Sequence, residues 1–107
     1  MGANKWQGDD EWPPKAAKNV RLYLHSNTNA NSLFGDGYAN FEEPTEDGED
    51  SYYYDPMIPV KTIGGGDCCN GGIVTAGSFD QRTIEARNDV LVYTTDPLEE
   101  PIEVTGF

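Results

Sequence analysis

The sequence predicts an all-β fold, and three observations carry that expectation. Residues 20–25 and 90–93 are short runs rich in β-branched and aromatic side chains, each bounded by turn formers. The chain holds 12 glycines and 7 prolines, which suits a fold with many turns. No internal repeat and no heptad pattern runs through it. Its 107 residues suffice for one small domain, and its apolar content of 36% is low for a self-sufficient globule of that size.

Residues 1–19 read as loop. Trp6 and Trp12 punctuate polar positions, and Trp12-Pro13-Pro14 stops regular structure. Two large aromatics in such a segment are expected on a surface that something else covers. Residues 20–25 alternate, with Val20, Leu22 and Leu24 on one side and Arg21, Tyr23 and His25 on the other, the pattern of a half-buried strand. Residues 27–50 are turn-rich and acidic. Leu33 and Phe34 anchor a tight turn, and residues 42–50 are too charged to bury, so they are expected as an exposed loop.

Tyr52, Tyr53 and Tyr54 read as a short aromatic strand ended by Asp55-Pro56, and residues 58–62 as extended backbone before and after Pro59. Glycines 64–66 and 71–72 frame the pair Cys68-Cys69. Residues 80–106 then form the most distinctive stretch. A polar turn, Asp80-Gln81-Arg82, and the triplet Glu85-Ala86-Arg87 lead into Val90-Leu91-Val92-Tyr93, expected as a buried strand. Pro97 and Pro101 cannot donate to a ladder and fall between strands, and Ile102-Glu103-Val104 is a short alternating segment.

Charge narrows the function classes. Nineteen acidic and seven basic residues give a net charge of −12, so neither a nucleic acid nor an anionic membrane surface is an expected partner. No apolar segment approaches a membrane span. The opening residues lack both a basic start and an apolar run, so no signal peptide is predicted, which tilts the expectation toward the cytoplasm. Adjacent cysteines match no metal or redox spacing, and free thiols or a loop feature are expected at Cys68 and Cys69. The Asp/Asn spacing does not fit an EF-hand loop, and the glycine-rich segment lacks the Lys-Ser/Thr ending of a phosphate loop. No metal and no cofactor is expected.

A serine hydrolase needs a nucleophile, a base and an orienting acid. There is no G-x-S-x-G elbow, and Ser78 sits in a different context, followed by Phe79-Asp80. His25 is the only histidine, and strand alternation points Ser26 to the other face. His25 is expected as a polar strand residue packed on tyrosines. No catalytic, cofactor-binding or metal-binding residue is assigned.

The wording of residues 80–106 adds a resemblance. DQR-x-x-EAR-x-DVLVY…PL…EVTG is similar to the signature that opens the C-terminal β-domain of the CocE/NonD serine hydrolases, the cocaine-esterase-like and acylase-like enzymes grouped with the Xaa-Pro dipeptidyl-peptidases. Shorter matches in the same order are Met1 to Trp6, Trp12-Pro13, Tyr23 to Ser26 and Tyr52 to Thr62. Thr83 departs from the family's usual proline, and Phe107 stands where V-T-G-P-V leads into further strands.

The resemblance implies a partial jelly-roll, galactose-binding-like β-sandwich. Residues 1–19 would be the linker from an absent α/β-hydrolase domain, and residues 20–107 the N-terminal part of the C-terminal sandwich. All three triad residues of the family lie upstream of the matched segment. The partner implied is the α/β-hydrolase domain of the same parent chain. The implied function is the non-catalytic domain of an esterase, acylase or dipeptidyl-peptidase, without activity alone. The residues agree, with about four or five strand candidates against the roughly eight of a jelly-roll. The alternative reading is a stand-alone β-sandwich module that uses Trp6, Trp12 and the three tyrosines as a platform for carbohydrate or a protein partner.

Overall fold

The computed structural model describes residues 5–66 and 75–105. Among them the regular elements are a strand β1, Tyr23–His25, a strand β2, Tyr38–Asn40, and a single helical turn α1, Arg82–Glu85. The rest is extended or turning backbone, so the chain is β-rich with little helix. β1 and β2 pair antiparallel, with Tyr23 opposite Asn40, Leu24 opposite Ala39 and His25 opposite Tyr38.

β1 is shorter than the alternating run that contains it, because its partner turns away. The Asn40 side-chain oxygen accepts the backbone N–H of Glu42 at 2.9 Å. This local turn competes with the ladder and ends β2, and Pro44 follows four residues later. Residues 20–22 therefore have no strand opposite them, and Val20, Leu22 and Leu24 are 67%, 50% and 56% exposed. The half-buried residues of β1 are Tyr23 and His25, the face expected to be polar.

Residues 90–93 are extended and half-buried, but they do not form a continuous strand. Val92 N–H donates to the Ala30 carbonyl at 2.9 Å and Ser32 N–H to the Val90 carbonyl at 2.8 Å. Further along, Ala39 N–H donates to the Thr94 carbonyl at 3.1 Å. The run thus bonds in two patches, with an antiparallel bridge of Leu91 to Asn31 and a parallel bridge of Thr94 to Tyr38. The segment between β1 and β2 cannot offer one ladder, because Thr28 and Ser32 have φ of 67° and 65°, which reverses the chain locally.

The small core sits where these segments cross. Its buried residues are Ala30, Ala39 and Ser32, at 0%, 5% and 4% exposure. Close approach replaces side-chain volume here. A Cβ on Gly37 would lie 2.9 Å from the Ala30 Cβ and deep inside the Val92 carbonyl oxygen, so only glycine lets the two backbones meet.

Tyr52, Tyr53 and Tyr54 do not form the expected strand. They are exposed, Tyr53 at 91%, and among the described residues no backbone partner lies alongside them. Residues 102–104 are likewise exposed, without a backbone partner among the described residues. The polar turn at Asp80 develops into α1, which the alternating pattern did not predict. Its cause is local: an Asp80 carboxylate oxygen accepts the backbone N–H of Arg82 at 3.0 Å, which starts the turn.

Gly65 and Gly77 exchange backbone hydrogen bonds of 2.8 and 2.9 Å and so bring two distant points of the chain side by side. Gly64, buried just before this bridge, has φ +70°. Cys68 and Cys69 lie outside the described residues.

The chain exposes 9778 Å², against about 5,900 Å² for a compact monomer of this mass. Its radius of gyration is 17.0 Å, where a compact domain of this length has about 13 Å. Among the described residues no large side chain is fully buried. None of their helices is long and apolar enough to cross a membrane.

Candidate functional site

The densest polar constellation centres on Asp50, the last residue of the acidic stretch. One carboxylate oxygen accepts the Ser26 hydroxyl and the Tyr93 hydroxyl, each at 2.6 Å. The other accepts the Ala30 backbone N–H at 2.9 Å. Three segments far apart in sequence meet on one half-buried carboxylate. The hydrogen bonds from Ser26, Tyr93 and Ala30 hold its pKa below the usual carboxylate range. The same bond to Asp50, helped by burial, pushes the Tyr93 phenol up to about 12. Ser26 donates to Asp50, whose negative form these bonds favour, so the carboxylate is a weaker proton acceptor than a free one.

His25 closes β1, and Ser26 follows it just beyond the strand. The His25 ring stacks on Tyr38 with centroids 4.7 Å apart and planes 8° from parallel. Its Nε2 faces two acceptors, the Asn40 side-chain oxygen at 2.9 Å and the Glu42 carbonyl at 3.1 Å. Nε2 therefore carries the proton and donates, which fits a packed strand histidine better than a general base.

The residues of the 80–93 signature have mechanical roles. Arg82 pairs with Asp80 through its Nε at 2.8 and 2.9 Å, in a fully exposed pair that lowers the Asp80 carboxyl to about 2. The Gln81 side-chain amide donates to the Ile63 carbonyl at 2.7 Å and so ties α1 to the glycine-rich segment. Arg87 donates to Asp89 from Nε at 2.7 Å and to the Ile58 carbonyl from Nη2 at 2.8 Å. One guanidinium thus pins the turn entering residues 90–93 to the extended segment around Pro59. Leu33 N–H completes the attachment by donating to the Glu85 carbonyl at 2.7 Å.

Two open grooves flank these features. One, of about 650 Å³, lies between residues 7–17 and the segment of Glu103 and Thr105. The other, of about 350 Å³, lies between the His25–Tyr38 stack and residues 44–50. The second groove brings His25, Ser26 and Asp50 to one wall, but Ser26 bonds Asp50 while the His25 Nε2 bonds Asn40 and Glu42, and among the described residues no three metal-ligating side chains come together. Trp6 and Trp12 are exposed, at 102% and 61%.

The geometry describes a set of structural ties with open apolar surface around them. The family model for the X-Pro dipeptidyl-peptidase C-terminal non-catalytic domain matches residues 1–107. The chain belongs to this family. The resemblance of the DQR…EAR…DVLVY stretch to the CocE/NonD hydrolases is thus a family relationship. The chain is also 36% identical over 106 residues to the cocaine esterase of Rhodococcus sp. (strain MB1 Bresler), a match covering 99% of this chain and 18% of that protein. It therefore spans less than a fifth of the length of the curated relative it matches.

Within this family domain, Arg82 and Arg87 each pair with an aspartate two residues away. Asp50 departs from the exposed loop expected over residues 42–50: it is half-buried and accepts three hydrogen bonds. Its partners are 20 to 43 residues away along the chain, and no local pattern marks such a meeting.

Proposed function

We propose that the chain contributes the non-catalytic C-terminal β-domain of a CocE/NonD-type serine hydrolase acting on esters, acyl-amides or Xaa-Pro peptides. On this reading residues 1–19 are the linker from the α/β-hydrolase domain, and residues 20–107 open a jelly-roll, galactose-binding-like sandwich that packs on it. The observation that carries the proposal is the unfilled apolar surface. Val20, Leu22 and Leu24 line one side of the β1 segment with half or more of each side chain exposed, and Trp6 and Trp12 stand open nearby in sequence. A contiguous apolar face of this kind marks an interaction surface. The family match supplies the partner class, a hydrolase domain of the same chain. The same surface disfavours the stand-alone binding module, because an independent fold would have buried it in its own core.

The test compares residues 1–107 alone with the same segment joined to the α/β-hydrolase portion of a family enzyme. Tryptophan emission and acrylamide quenching report Trp6 and Trp12 when the tryptophans of the hydrolase portion are replaced. Blue-shifted, quench-protected emission in the joined protein supports the proposal. Equal, full quenching in both forms overturns it.

A further inference from the structure

We draw no further inference here: the strongest candidate, the groove between the His25–Tyr38 stack and the acidic residues 44–50, is walled by carboxylates with no second feature that points to a ligand.

Discussion

The Tyr93 hydroxyl donates at 2.6 Å to a carboxylate oxygen of Asp50, 43 positions earlier in the chain. That bond joins the end of the acidic stretch to the extended run that the family signature leads into. It is one of three on the same carboxylate, so Asp50 works as a fastener among β1, the turn at Ala30 and residues 90–93. Asp50→Ala should leave two hydroxyls and a backbone N–H without their acceptor and cost about 2–4 kcal/mol, whereas Tyr93→Phe removes one bond to a charged group and should cost about 1–3 kcal/mol. Urea unfolding of a full-length polypeptide carrying this segment measures both. The double mutant should fall short of the sum, because the two residues share one bond.

The pH dependence has two limbs of opposite sign. Asp50 is depressed in the folded state, so its contribution is complete above the ordinary carboxylate pKa of about 4 and disappears as the pH falls through the lower folded value. Tyr93 is raised to about 12, so its contribution is complete below the ordinary tyrosine pKa of about 10 and disappears as the pH climbs through the folded value. Unfolding midpoints measured across pH should show Asp50→Asn weakening the acid limb and Tyr93→Phe weakening the alkaline one.

The neighbours of Asp50 in the same stretch should behave differently. Glu46 and Asp47 are exposed, so Glu46→Gln combined with Asp47→Asn should shift stability by less than about 1 kcal/mol. A larger loss in the same urea assay would place an ion or a buried network in the loop.

Crowding at the core gives a sharper prediction. Gly37→Ala drives a methyl group into the Val92 carbonyl and should cost about 1–3 kcal/mol, read as a drop in thermal midpoint. Val92→Asp, on the other side of that contact, puts an unpaired charge on a half-buried segment and should abolish soluble expression of a full-length polypeptide carrying this segment.

Activity provides an independent check on the expectation that the chain is non-catalytic. Residues 1–107 alone should not hydrolyse p-nitrophenyl esters or Xaa-Pro-p-nitroanilide, since His25 is committed to Asn40 and Glu42 and Ser26 to Asp50. Turnover above buffer that vanishes on serine-directed phosphonate treatment would refute it.

The legible parts of this chain were those fixed by neighbours in sequence. Asp80 with Arg82 and Arg87 with Asp89 are each two residues apart, so each pair closes within a single turn of the chain. The placement of His25 on a strand against a tyrosine followed from alternation. What alternation could not supply was a partner strand. Val20 and Leu22 have the right pattern, but the Asn40 turn denies them a ladder, and Tyr53 has the right composition with nothing beside it. The run at 90–93 is extended as expected, yet Ser32, at φ 65°, breaks the facing backbone into patches. The Asp50 junction was invisible because long-range meetings are set by the path of the whole chain.

The reciprocal hydrogen bonds between Gly65 and Gly77 clamp both ends of an eleven-residue excursion at one point. Ile63 and Gln81 are bonded just outside the clamp, so the approach to α1 is held at two successive points. Each doubling of such an excursion adds only about 0.6 kcal/mol of closure entropy. The cost of closing that loop is met at the clamp, by two backbone bonds and the Gln81 tie beside them, which together fix where the chain enters α1.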